Sequence, residues 1–158
     1  MRGTSLIVKT VARWVVAFIV LYGLYIVAFG HLSPGGGFAG GVILACAFVL
    51  EVLAWGKDGA LATFPFGLAK RLDSAGALLF LALALGGLFT AGGFFINFIQ
   101  RAAPGRPLAL FNGGIIPLCN VAIALKVCAS LFLAMVVLSA LRVRAGGSAV
   151  ELTAQEEE

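Results

Sequence analysis

Four long apolar runs dominate the chain, roughly Val11 to Phe29, Phe38 to Trp55, Ala75 to Phe98 and Ile116 to Leu141. Crossing a hydrocarbon core of about 30 Å takes about 20 helical residues, so each run is read as a membrane-spanning helix. Polar and Gly/Pro-rich stretches separate them. Gly30 to Gly41 joins the first to the second, Gly56 to Leu72 reads as a loop of mixed character, and Gln100 to Ile115 carries Pro104, Pro107 and an Asn112-Gly113-Gly114 turn. The pattern predicts an all-α polytopic membrane protein with four transmembrane helices. It divides into a basic lead-in at 1–10, a membrane domain at 11–142 and a Gly, Ser and Glu-rich tail at 143–158, expected to be disordered.

Composition strengthens that picture. Hydrophobic residues make up 61% and charged residues 11% of 158 residues, and the mean hydropathy is +1.09, values of the membrane class. Arg2, Lys9 and Arg13 precede the first run as they would in a secretory signal, but the run is too long and no small-x-small cleavage pattern follows it, so a retained helix is expected. An inside N-terminus puts Arg2, Lys9, Arg13, Lys57, Lys70, Arg71, Arg142 and Arg144 on the cytoplasmic side against Arg101 and Arg106 outside. Both termini are therefore expected in the cytoplasm. The net charge of +4 follows from topology; the lipid bilayer is the expected partner and nucleic acid is not. Cys46, Cys119 and Cys128 fall inside predicted spans with no metal-ligand spacing and are expected to be small buried apolar residues.

The segment Gly30 to Gly41 holds six of the 21 glycines and the single histidine. Gly35, Gly37 and Gly40 spell G-x-G-x-x-G, but a dinucleotide fingerprint needs a preceding strand and a βαβ unit, and here the flanks are membrane helices. A hinge is expected instead. Pro34 presets the turn, Gly35 and Gly36 permit it, Phe38 and Gly40 follow, and Gly37 and Gly41, with Ala45, form a small-residue face for close helix packing. Ala82, Gly86, Thr90, Gly93 and Asn97 make a comparable face on the third run. Pro117 is expected in the first turn of the fourth, where a proline is tolerated.

Lys126 is the strongest chemical signal. It lies about nine residues inside the fourth helix, hence about 14 Å deep, where a lysine costs about 2.5 to 3.5 kcal/mol and needs a carboxylate, a protein interior or a hydrated path. Glu51 lies one turn from Trp55 and is read either as an ion-handling carboxylate or as a partner of Lys57 or Lys70. His31 is read either as a proton-accessible group at the outer surface or as a clip of the turn. Asn97 and Asn120 could ligate a cation or bond across helices, and Asp73 or Ser74 is read as the N-cap of the third helix. No nucleophile elbow, H-E-x-x-H or phosphate loop is present, and one histidine cannot build a typical metal or haem centre alone. No catalytic residue, metal or cofactor is expected.

The run Gly-His-Leu-Ser-Pro-Gly-Gly-Gly-Phe-Ala-Gly-Gly at Gly30 to Gly41, followed by a helix with an acidic residue near its end, resembles the signature of the MnhB domain, the B subunit of Mrp-type multisubunit cation/proton antiporters. Leu72 to Ala77 is similar to that family's approach to its third helix. Gly113 to Val127, containing Ile116-Pro117-Leu118-Cys119-Asn120 and Leu125-Lys126-Val127, resembles a second family block. Cys119 departs from it, standing where a tyrosine or other large residue is expected. The resemblance covers about Val11 to Leu141. It implies a small non-enzymatic subunit that works with other membrane subunits around transported Na+ and H+. Related modules occur in membrane-bound hydrogenases and other redox-driven sodium pumps, and a purely structural subunit is the third reading.

Overall fold

A computed structural model describes residues 4–102, 113–146 and 149–154 of the chain. It contains four helices long and apolar enough to cross a membrane: α1 (Leu6–Ala28), α2 (Gly36–Thr63), α3 (Phe66–Ala91) and α5 (Ile116–Ala140). A short α4 (Phe98–Ala102) lies in the connection between α3 and α5. Expectations for Arg2, Pro104, Arg106, Pro107, Asn112 and the last four residues of the tail fall outside the described residues.

The helices do not close into a symmetric bundle. α5 stands between α2 and α3, and α1 packs mainly on α2, giving the spatial order α1, α2, α5, α3. Broad apolar faces of the outer helices are consequently left uncovered: Trp14, Phe18 and Leu21 on α1 and Leu78, Leu81 and Phe89 on α3 are exposed in the single chain. In a bilayer such faces meet lipid or other subunits.

Glycine sets the closest approaches. A Cβ at Gly40 would lie 2.4 Å from Val27 Cγ2, which brings α2 against α1. On α2's other side, a Cβ at Gly37 would lie 2.3 Å from the Asn120 carbonyl oxygen and one at Gly41 2.9 Å from that of Ala124, so both seat α2 on α5. Gly76 does the same for α3, where a Cβ would stand 2.7 Å from the Ala122 oxygen and 2.9 Å from the Lys126 nitrogen. Small-residue faces of this kind let helix backbones approach where lipid removes the hydrophobic drive to associate.

Helix boundaries differ from expectation at the second and third spans. The segment 56–72 is mostly helical rather than a loop: α2 continues to Thr63 across a break at Gly56, whose φ of 82° and ψ of 172° favour glycine. α3 begins at Phe66, directly after Pro65 in its N-cap position. The physical reason lies in apolar positions three apart, Phe66, Ala69 and Leu72, which pack inward. Lys70 lies over the Phe66 ring at 4.6 Å. At its far end α3 stops at Gly92, in the left-handed conformation, instead of running to Phe98. The chain then folds back, with the Phe95 N–H donating to the Ala84 carbonyl.

The apolar core sits where α2, α3 and α5 meet. Phe132 is fully buried there, with ring centroids 5.7 Å from Phe48 and 5.0 Å from Phe64, both edge-on, while Phe48 and Phe64 stack at 4.6 Å. Val52, Ala60, Ala69 and Val136 complete it. Phe64, in the stretch read from the sequence as a loop, is therefore a core residue. Phe132→Ala is expected to cost about 3 to 5 kcal/mol, the range for deleting a buried aromatic ring; a lowered melting temperature of the purified chain in detergent checks it.

Of the cysteines, Cys119 and Cys128 are buried and Cys46 is exposed, correcting the expectation for Cys46, which lies on the outward side of α2. After α5 the backbone forms an antiparallel hairpin, β1 (Leu141–Gly146) with β2 (Ala149–Ala154), in a register that pairs Val143 with Leu152. Alternation of apolar and polar residues within Leu141–Gly146 and Ala149–Ala154 is the pattern that favours the pairing.

Candidate functional site

Lys126 lies near the middle of α5, and its partner is Asp73. The lysine Nζ is 2.8 Å from Asp73 Oδ1 and 2.9 Å from Ser130 Oγ, and the Ser130 hydroxyl donates to the same carboxylate oxygen. Ser130 follows Lys126 by four residues, so the two share a helix face. Gly76, one turn after Asp73, has no side chain to hold α3 away from Lys126, and the carboxylate comes within reach. The triad of Asp73, Lys126 and Ser130 is thus assembled from α3 and α5 inside the membrane-spanning part.

The triad is not enclosed by its own chain. Side-chain exposure is 46% for Lys126 and 31% for Asp73, and Lys126 has a third N–H beyond the two that reach Asp73 and Ser130. Hydrocarbon cannot solvate these groups, so this side of α3 and α5 requires polar protein or water. Asp73 was expected to cap the third helix. That role disappears because α3 starts seven residues earlier, which moves Asp73 inside the helix and frees its carboxylate for Lys126. Apolar spacing at Phe66, Ala69 and Leu72, read through Lys70 and Arg71, is the signal that would have exposed this.

Asn120 joins the hinge to α5. It is buried, and its Oδ1 accepts from the Gly37 N–H at 3.2 Å. Gly37 is the second residue of α2, whose N-cap Gly35 has no side chain to satisfy the first free N–H groups; Asn120 supplies a cap from another helix. Gly35 and Gly36 take φ values of 138° and 65°. Pro34 precedes them at the end of the turn, where Ser33 Oγ donates to the Phe29 carbonyl, and Phe38 points outward. His31, half-buried, approaches the head of α5: a Cβ at Gly113 would lie 3.2 Å from its ring.

Asn97 is a clasp. Its Oδ1 accepts from the Gln100 and Ile115 N–H groups, both at 3.1 Å, while its Nδ2 donates to the Gly113 carbonyl at 2.9 Å and to Gln100 Oε1 at 3.2 Å. One amide therefore starts α4 and fixes it to the head of α5, close to Pro117 in that helix's first turn. Gly86 lies under α4, where a Cβ would meet the Phe98 ring at 3.1 Å.

Glu51 is remote from the triad. It lines a cavity between α1 and α2 together with Arg13 and Trp55, and its Oε2 is buried without a hydrogen-bond partner. The structure thus brings together Lys126, Asp73 and Ser130, and separately Asn120 with the hinge glycines. Neither group includes Glu51. Among the described residues no group of three or more His, Cys, Asp or Glu side chains could hold a metal.

The family model described as a domain related to the MnhB subunit of Na+/H+ antiporter matches residues 7–133. The chain belongs to the MnhB family. That span takes in the hinge, Asp73, Asn120, Lys126 and Ser130. An uncharacterised protein of Methanocaldococcus jannaschii is 37% identical over 137 residues, covering 84% of this chain and 52% of that protein. A Staphylococcus epidermidis protein named "Putative antiporter subunit mnhB2" is 36% identical over 84 residues, 53% of this chain and 59% of that one. The match therefore spans little more than half the length of either relative. A chain from the membrane-bound sulfane sulfur reductase, an archaeal respiratory membrane complex, superposes with a TM-score of 0.71 at 32% identity, over 86% of this chain and 57% of that one. Membership in the MnhB family and the four apolar helices make this a multi-pass protein of a prokaryotic membrane.

Proposed function

We propose that the chain is a non-catalytic membrane subunit of a multisubunit monovalent cation/proton antiporter, with the Asp73, Lys126 and Ser130 triad as an electrostatic station beside the cation path. The single observation that carries the reading is an ion pair held between two membrane-spanning helices and left open on one side. A pair of this kind does not bind sodium by itself, since the lysine already occupies the carboxylate. It sets the local potential: a cation moving past on the open side meets Asp73 as attraction and Lys126 as repulsion, and a shift of Lys126 toward or away from Asp73 changes their balance. Ser130, bonded to both, holds the resting arrangement.

In this reading the termini face the cytoplasm, as the basic residues of the termini and of the segment between the second and third spans indicate. Neighbouring subunits cover the open side of α3 and α5. Glu51, His31, Asn120 and Asn97 are the further candidates for shaping the path, the two asparagines through the hinge and the α4 clasp that they hold.

A second reading, favoured by the likeness to the sulfane sulfur reductase chain, puts the same module in a redox-driven complex such as a respiratory hydrogenase or sodium pump. Co-isolation separates the two. Tagged chain solubilised in mild detergent from its native membrane is expected to bring down large antiporter-like subunits; nickel or iron–sulfur subunits in the same preparation would establish the redox parent instead. If the chain alone reconstituted sodium flux, the subunit reading would fail.

A further inference from the structure

The cavity between α1 and α2 is lined by Arg13, Val16, Glu51, Trp55, Gly59 and Thr63 and has a volume of about 240 Å³. It contains one positive and one negative side chain that do not meet: among the described residues Lys126 and Asp73 form the ion pair, and Arg13 and Glu51 stand more than salt-bridge distance apart. Glu51 Oε2 is buried without a hydrogen-bond partner, so the carboxylate keeps capacity to accept from a bound donor. Arg13 is exposed. The Thr63 hydroxyl reaches only the Gly59 carbonyl, at 3.5 Å, and so keeps capacity for another partner. A Cβ at Gly59 would lie 2.6 Å from Trp55 Cβ, so the glycine leaves space for the Trp55 side chain in the wall.

Opposite charges held apart across one cavity match a ligand that carries both signs. A free phosphate or an anionic headgroup would satisfy Arg13 and be repelled by Glu51; a bare cation would do the reverse. We propose that the cavity seats the headgroup of an amine-bearing phospholipid of the ethanolamine type, with its phosphate on Arg13 and its ammonium on Glu51. Charge-assisted hydrogen bonds at both ends supply selectivity. Trp55 supplies the amphipathic ring typical of headgroup level. Bound there, the lipid closes the gap between α1 and α2. The inference does not rest on the triad, which is built on α3 and α5, and its readout is lipid retention rather than transport.

Native mass spectrometry of the full purified chain, offered phosphatidylethanolamine, its N-acetylated form and phosphatidylglycerol with identical tails, tests it. The wild-type chain is expected to retain phosphatidylethanolamine several-fold over both others. Glu51→Gln is expected to abolish that preference while leaving phosphatidylglycerol retention in place, and Arg13→Gln to lower retention of all three. Equal retention by the wild type would overturn the proposal, as would a preference that survives Glu51→Gln. The wild-type comparison decides even if a variant fails to fold, because N-acetylation removes the ammonium and leaves the phosphate. Quenching of Trp55 by brominated lipids in a Trp14→Phe background gives a second readout. The ethanolamine lipid is expected to quench more strongly than the glycerol lipid, and equal quenching would count against the site.

Discussion

Gly37→Leu is expected to remove the folded subunit from the membrane, and Gly37→Ala to lower its melting temperature measurably. The reason is distance. Even a single added carbon would stand 2.3 Å from the Asn120 carbonyl oxygen and 2.7 Å from Asn120 Cα, and both atoms belong to the backbone of α5. A flexible side chain could swing away, but a helix backbone in the middle of a packed layer must move as a body. Overpacking of this kind costs about 1 to 3 kcal/mol for small insertions, and here it also disturbs the hydrogen bond that caps α2. Gly67→Ala is the matched control. A Cβ at Gly67, in the first turn of α3, meets nothing within 4 Å, and a glycine-to-alanine change at a backbone conformation that alanine can adopt gains up to about 1 kcal/mol by restricting the unfolded chain, so that variant is expected to be neutral or slightly stabilised. Subunit level and detergent melting temperature check both. A Gly37 variant that assembled fully and yet lost transport would move the hinge from scaffolding into the mechanism.

The second large effect concerns charge. Lys126→Ala leaves the Asp73 carboxylate without its counter-charge, and Asp73→Asn leaves Lys126 with a neutral neighbour; both are expected to reduce cation-dependent antiport strongly in complexes that still assemble. Breaking one side of a pair is worse than removing both, because the remaining charge has lost its compensation in a low-dielectric surrounding. The double variant Asp73→Asn with Lys126→Met is therefore expected to assemble better than either single variant. Its transport distinguishes the roles. An electrostatic station predicts that transport stays low in the double variant, whereas a purely structural pair predicts recovery along with assembly. Lys126→Arg keeps the charge but changes its shape and reach, and is expected to retain part of the activity.

Much of this arrangement is legible in the sequence because membrane helices are specified by length and apolarity, which are one-dimensional properties. The four spans, the Gly37 and Gly41 packing face, the Pro34 turn and the mid-helix position of Lys126 all follow from positions along the chain. The counter-charge of Lys126 does not. Asp73 lies 53 residues away, and its role depends on where α3 begins. Lys70 and Arg71 interrupt the apolar run and make 66–72 look like a loop, although Phe66, Ala69 and Leu72 carry the helix inward. Asp73 then looks like a cap at a terminus that lies elsewhere.

Asn120 and Asn97 show the same limit. Both are asparagines near helix heads, but their partners, Gly37 for one and Gly113 and Ile115 for the other, are set by which helices become neighbours. Glu51 was legible as a carboxylate one turn from Trp55, read as an ion-handling group or as a partner of Lys57 or Lys70. Its place in a cavity with Arg13, on the far side of the subunit from Lys126, required the packing of α1 on α2.

The most direct test of the central claim is sodium-dependent proton antiport in everted membrane vesicles that carry the complete complex with Lys126→Ala, alongside a measurement of subunit assembly. The electrostatic reading predicts a fall of about tenfold or more in antiport rate per assembled complex, the equivalent of about 1.4 kcal/mol added to the transport barrier. Full antiport in a normally assembled Lys126→Ala complex would contradict it.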